Sequence, residues 1–304
     1  MRDLPALALF TLLVLGLLAL DLGLLQRRPR VLSFREACGW YAFWVALSIA
    51  FNIGVYFWRG SQPALEFLTG YILEVSLSMD NVFVFAVIFG YMAVHAHYQH
   101  RVLFWGILGA LVMRGAFIAA GVALISRFEW ILYVFGAFLL ITGGKLLRGK
   151  QVEVHPEHNP VVRLARRILP VTQGYEGASF FVHREGRLLA TPLLLVLLLV
   201  ETTDVLFAVD SIPAVFAVTL DPFIVYTSNV CAILGLRALY FVLAGAVRRF
   251  RYLRPGLAVV LMFVGVKMLI VRFYKIPILV SLAAICLILL VAVIASLRAE
   301  QKST

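Results

Sequence analysis

Long apolar runs recur along the chain, separated by short polar and basic stretches. They fall at residues 4–25, 38–58, 64–93, 101–125, 129–147, 190–218, 223–245, 256–272 and 276–297. A helix needs about 20 apolar residues to cross a ~30 Å hydrocarbon core. The pattern therefore predicts about nine transmembrane helices. The first run, Leu4–Leu25, lacks a basic start and is followed by Gln26-Arg27-Arg28-Pro29-Arg30. It reads as the first membrane helix and not as a cleavable signal. The expected fold class is all-α: a polytopic membrane helix bundle forming a single integral membrane domain over residues 1–304.

The longest polar connection, 149–189, carries its own pattern. Arg163-Leu164-Ala165-Arg166-Arg167-Ile168-Leu169 follows Asn159-Pro160 and predicts a short amphipathic helix lying on anionic lipid. Ser179 to Thr191 alternates weakly around Arg184-Glu185-Gly186-Arg187, a hairpin signal. This segment is expected to be a cytoplasmic interfacial loop.

Composition agrees with a membrane location. The chain is 62% hydrophobic and 14% charged, whereas soluble domains carry about 25% charged residues. That excludes a soluble enzyme, a disordered chain and a free nucleic-acid binder. The net charge of +11 follows the positive-inside pattern instead. With nine crossings, 19 Lys and Arg residues fall on one side of the membrane and five on the other, Arg2, Arg59, Arg127, Arg272 and Lys275. The N-terminus is expected outside and the C-terminus in the cytoplasm. All six histidines, His95, His97, His100, His155, His158 and His183, fall in the cytoplasmic connections and read as interfacial residues. The three cysteines, Cys38, Cys231 and Cys286, are scattered and form no pair. No His-Glu-x-x-His and no phosphate-binding Gly-rich loop is present, so no enzyme activity is expected.

Charges inside the apolar runs carry the candidate chemistry. Away from the ends of the runs three are basic, Arg114, Arg237 and Lys267, and six are acidic, Asp21, Glu74, Asp80, Glu201, Asp204 and Asp210. A charge at the bilayer centre costs at least ~2.5–3.5 kcal/mol. The acidic excess therefore predicts protonation or a bound cation.

These charges repeat in order. Glu74-Val75-Ser76-Leu77-Ser78-Met79-Asp80-Asn81 is echoed by Asp204-Val205-Leu206-Phe207-Ala208-Val209-Asp210-Ser211. Arg114 is echoed by Arg237, and Gly143-Gly144-Lys145 by Gly265-Val266-Lys267. Three helices over 64–147 thus match three over 190–272. The charge count puts them in opposite orientations, an inverted three-plus-three repeat of the kind secondary transporters use. The two acid-bearing runs exceed the span length, and Pro213 lies inside one. Steep tilt or a break is expected to absorb the excess, and a local unwinding would let the carboxylates converge on a cavity.

Asp80, Asn81, Glu201, Asp204, Asp210 and Ser211, with Glu74, form an oxygen-rich candidate site. Oxygen donors suit Mg²⁺, Ca²⁺ or Mn²⁺. Met79 is the one soft atom nearby. Arg114 and Arg237 are candidate countercharges, and Asp21 is a secondary candidate. The competing reading is a charge-paired structural network.

The stretches EVSLSMDNVFVF (74–85), ETTDVLFAVDSIPAVFAVTLDPFIVYTS (201–228) and NVCAILGLRALYF (229–241) resemble the TerC family, named for tellurite resistance. The likeness extends to Asp21-Leu22-Gly23 and residues 159–175. It implies a bacterial inner-membrane protein of the LysE-like transporter superfamily, with members linked to Mn²⁺ export and to tellurite or alkaline-pH phenotypes. By motif position it implies Glu74, Asp80, Asn81, Glu201, Asp204, Asp210 and Ser211 as the site. The expected partners are a divalent metal ion, the lipid bilayer and a second copy in a homo-oligomer, with no nucleic acid and no permanently bound cofactor. Mn²⁺ is the expected substrate, with protons as the coupling ion. The alternatives are a Ca²⁺ or cation–proton antiporter and a non-transporting membrane redox or tellurite stress modulator.

Overall fold

Polar residues at the ends of the apolar runs set where the helices begin. Ser33 and Glu36 form a reciprocal capping box that starts α2 (Phe34–Arg59). The Asp221 carboxylate accepts from the Phe223 and Ile224 amides ahead of Pro222, opening α8 (Pro222–Leu234). Between α2 and α3 (Ser61–Tyr91) the chain turns at Gly60, whose φ of +93° suits a residue without Cβ.

The computed structural model describes residues 4–20, 33–148, 159–184, 186–244 and 252–301. The remaining elements are α1 (Leu4–Leu20), α4 (Ala96–Arg127), α5 (Ile131–Leu147), α6 (Pro160–Ile168), α7 (Pro192–Phe216), α9 (Leu236–Ala244), α10 (Leu253–Ile270) and α11 (Ile278–Gln301). A two-stranded antiparallel hairpin, β1 (Phe181–Arg184) and β2 (Arg187–Ala190), joins α6 to α7.

Over most of its described residues each predicted apolar run is helical. Among the described residues six helices are long and apolar enough to cross a membrane. The run 223–245 is two helices, α8 and α9, bent by 41° at Gly235 and counted as a seventh crossing if taken as one. The helices α1 and α5 are apolar but shorter, 17 residues each. The predicted amphipathic helix is α6, where the Asn159 side chain accepts from the Val161 and Val162 amides. The predicted hairpin turns at Gly186, φ +75°. Tyr175 fastens this interfacial layer by donating to the Met92 carbonyl at 2.6 Å. Burial pushes its phenol above the usual value, so it stays a donor at neutral pH.

The expected break in the acid-bearing helices is absent. The helix α3 runs unbroken for 31 residues, ~46 Å at ~1.5 Å per residue, and α7 runs unbroken for 25. Hydroxyls fold back onto their own helix instead of marking an opening. Thr69 donates to the Leu65 carbonyl at 2.7 Å, Ser76 to Ile72 at 2.6 Å and Thr203 to Leu199 at 2.6 Å. Pro213 sits one turn from the end of α7, where its missing N–H frees only the Val209 carbonyl.

Small residues let the helices approach closely. A Cβ built on Gly70 would stand 2.9 Å from the Ser228 hydroxyl, and one on Gly106 3.2 Å from Val200. These contacts pin α3 to α8 and α4 to α7. The helices α5 and α10 cross antiparallel: Gly136 meets Gly265, and Gly143 meets Ala258. Around this centre α1, α2 and α11 expose Leu9, Leu12, Phe57, Leu287, Leu290 and other large apolar side chains. Such an apolar outer surface suits lipid, not water.

Candidate functional site

On a continuous helix Glu74 and Asp80 point about 120° apart (six residues at ~100° each), and the structure uses the two directions separately. Glu74, fully buried, faces Arg114 of α4. Arg114 is 1% exposed and is the hub of a buried network. Its Nη1 donates to Glu74 Oε1, to Asn229 Oδ1 of α8 at 2.9 Å and to Ser211 Oγ of α7 at 3.2 Å. Its Nη2 reaches Asp204 Oδ1 at 3.2 Å. One guanidinium thus ties four helices together.

Asp80 points the other way, into a cavity of about 340 Å³ between α3, α5, α7 and α10. Asn81, Asp210 and Ser211 line the same cavity, with Thr142, Lys145, Leu77, Phe207 and Leu257. The equivalent acid–polar pairs of the two sequence repeats, Asp80-Asn81 and Asp210-Ser211, therefore face one space. Asp210 accepts from Thr142 Oγ1 at 3.3 Å, and the Lys145 charge acts on it. Asp80 accepts from Nε of Arg254, in the first turn of α10, at 2.5 Å. Ser211 belongs to both groups: it lines the cavity and takes a bond from Arg114.

The seven candidate residues thus divide into separate groups. Asp80, Asn81, Asp210 and Ser211 share the cavity. Glu74 and Asp204 are held by Arg114 behind it. Glu201 shares a helix face with Asp204 and packs its carboxylate against Gly109 of α4, where any Cβ would collide with it. The countercharge Arg237, on α9, lines a narrow cleft with Asp204, Gly106 and Ala110. Asp21 lies outside the described residues. Met79 packs against the apolar core and is absent from the cavity wall. Of the histidines, His100 stacks on Phe241 and His95 packs near Tyr98 and Tyr175.

The acidic excess inferred from sequence is smaller than it looked. Lys145 lines the cavity and its charge acts on Asp210, and Arg254 pairs with Asp80. The helix α10 begins at Leu253, three residues before its apolar run, and α5 ends with its run at Leu147, which puts Lys145 in its last turn. Arg254 carried no sequence signal beyond its place beside Pro255. Asn229 stood inside a recognised motif without being singled out.

Several buried polar atoms remain without a partner: Glu74 Oε2, Ser78 Oγ, Asn81 Nδ2 and Asn229 Nδ2. A fifth such atom, Asn52 Oδ1, lies apart on α2; Glu74, Asn81 and Asn229 belong to the hub or the cavity, and unpaired buried polar atoms are uncommon enough to mark places where water belongs. Among the described residues no three His, Cys, Asp or Glu side chains converge as a metal-ligand group. The cavity instead offers two carboxylates with the neutral oxygens of Asn81, Ser211 and Thr142. That set suits a cation that keeps part of its water shell.

Long apolar helices around buried charge define a polytopic integral membrane protein. The chain belongs to the integral membrane protein TerC family, whose description matches residues 59–304. It is 55% identical over 288 residues to a Myxococcus xanthus membrane protein, STKORF319, covering 95% of this chain and 90% of the relative. It is 50% identical over 285 residues to an Escherichia coli K12 protein provisionally described as a membrane-bound redox modulator, Alx, covering 91% and 89%. A Rickettsia bellii membrane protein is 39% identical over 288 residues, 95% of each chain. No solved structure matches the chain.

Proposed function

We propose that this protein is a divalent-cation transporter of the bacterial inner membrane that exports Mn²⁺ in exchange for protons. The observation that carries this reading is the cavity shared by Asp80 and Asp210. Two carboxylates kept inside apolar helices, with neutral oxygens beside them, form a binding site for a hard divalent cation. Asp80, Asn81, Asp210 and Ser211 would touch the ion. Glu74, Asp204 and Arg114 would hold the helices behind it, with Ser211 linking the two groups. The choice of Mn²⁺ and the outward direction rest on the family resemblance. Proton exchange has a chemical basis, because protons and metal compete for the same carboxylate oxygens.

An inverted repeat supports the transporter reading. If Gly143 corresponds to Gly265, then Gly136 corresponds to Ala258. The contacts Gly136–Gly265 and Gly143–Ala258 are then exchanged by a twofold axis perpendicular to the two helices. The pair Gly106–Val200 has its counterpart, one residue displaced, in Gly70–Ser228. Counting α1, α5 and the bent α8–α9 pair as crossings gives nine, with the N-terminus outside. In that orientation the cavity lies toward the cytoplasm. Of the equivalent outer positions, Phe135, Leu139, Val264, Lys267 and Met268, Leu139, Val264 and Met268 are buried, Phe135 stacks on Phe216 and Lys267 is half-buried. Inversion of that asymmetry would open the outer side.

The redox description of the relatives has a place in this reading. Cys38, Cys231 and Cys286 are free and dispersed. A change in a redox-active metal inside the cell would alter redox state without a redox group in the protein. The test is purified protein in liposomes with a Mn²⁺-sensitive dye and a pH dye. Mn²⁺ flux with linked proton movement is expected. Mn²⁺ flux without a pH change would remove the exchange, and no divalent flux from folded protein would favour the modulator reading.

A further inference from the structure

Both cavity carboxylates face a basic side chain at the end of an outer helix, Lys145 from the last turn of α5 and Arg254 from the first turn of α10. Arg254 differs from the buried Arg114 in a way that decides its role. Arg114 is 1% exposed and bonded to four side chains, so it cannot leave without stranding Glu74 and Asp204. Arg254 has a side chain 32% exposed and bonds Asp80, itself 13% exposed, at 2.5 Å. It sits three residues before Leu257, which lines the cavity. The guanidinium therefore approaches Asp80 from the rim of the cavity.

We propose that Arg254 is a tethered countercation that occupies Asp80 while the cavity is empty and must swing away before a divalent cation binds there. This rests on the cavity being the cation site. The guanidinium and the ion claim the same carboxylate oxygen, and their like charges repel at that distance. A guanidinium keeps its charge at any working pH, so it is a permanent competitor. Arg254 is about a third exposed, so its release costs less than that of a fully buried partner such as Arg114. The exchange keeps Asp80 neutralised in the empty protein and weakens the hold on cargo, which favours release. On the correspondence of Gly143 with Gly265, the position matching Arg254 is Leu132. The device is therefore built on one side only, the side on which the cavity lies.

The test is Mn²⁺ binding to purified full-length protein in detergent by calorimetry, for wild type, Arg254→Gln, Arg254→Lys, Asp80→Asn and the double variant Asp80→Asn/Arg254→Gln. Arg254→Gln is expected to bind about threefold to tenfold tighter than wild type. Arg254→Lys, which keeps the charge, should stay near wild type. In the Asp80→Asn background the Arg254 change should lose its effect, because the two act through one contact. In liposomes Arg254→Gln should lower the KM for Mn²⁺ together with the maximal rate. Wild-type binding with no tightening in Arg254→Gln overturns the proposal and leaves the cation site standing, as does tightening that persists without Asp80. If Arg254→Gln does not fold, Arg254→Ala takes its place, and binding by Arg254→Ala no tighter than wild type overturns the proposal equally. No Mn²⁺ binding by any folded form removes the cation site and this proposal with it.

Discussion

Gly136 of α5 and Gly265 of α10 meet backbone to backbone. A Cβ on Gly136 would stand 3.0 Å from the Gly265 carbonyl oxygen, and one on Gly265 would stand 2.8 Å from that of Gly136. The neighbouring Gly143 is equally tight against the Ala258 carbonyl, at 2.8 Å. Backbone cannot yield as a side chain does. Any larger residue must push the two helices apart, and these helices form two walls of the cavity.

Gly136→Val and Gly265→Val are therefore expected to lower stability by about 1–3 kcal/mol each, the usual range for overpacking. Gly144→Ala, at a position with nothing within 4 Å, should leave stability unchanged. Thermal unfolding in detergent reads all three. Equal melting for Gly136→Val and Gly144→Ala would show that the crossing is loose.

Arg114→Leu leaves two buried carboxylates without their cation. Removing one partner of a buried ion pair costs about 3–5 kcal/mol, so little folded protein should survive purification. Arg114→Lys keeps the charge without the fork and should fall between. Asp80→Asn, by contrast, should give a normal yield, because its carboxylate borders a cavity and a half-exposed arginine. Size-exclusion profiles and melting curves separate these outcomes, and a stable Arg114→Leu would refute the hub.

Much of the interfacial layer was readable in the sequence, because its signals are local. Asn159-Pro160 is a cap followed by a preferred first helical residue, and Arg184-Glu185-Gly186-Arg187 is a turn. The membrane helices were readable as apolar runs. Their interruptions were not. The excess length of α3 suggested a break, yet each carboxylate found its own partner on a different helix, so nothing required unwinding. The bend came at Gly235, where the Tyr41 ring lies 3.4 Å from the position a Cβ would take. The grouping of the acids also depended on long-range pairs. Arg254 and Asp80 are 174 residues apart, and no local pattern links them.

The closed outer positions give a test of alternation. In a background with Cys38, Cys231 and Cys286 replaced, Thr142→Cys should react with a membrane-impermeant thiol reagent applied from the cytoplasmic side. Val264→Cys, its equivalent, should react only from the outer side and only during turnover. Reaction of Val264→Cys from outside in resting protein would mean that the outer path is already open.

On the proposed function Asp80 and Asp210 bind one transported divalent cation, and flux through single variants decides whether they do. Asp80→Asn and Asp210→Asn should each remove Mn²⁺ uptake into or release from liposomes while the protein stays monodisperse and melts near wild type. Glu201→Gln, whose carboxylate faces α4 and not the cavity, should keep measurable flux. Wild-type Mn²⁺ flux through either aspartate variant would contradict the account and put the ion path elsewhere in the bundle.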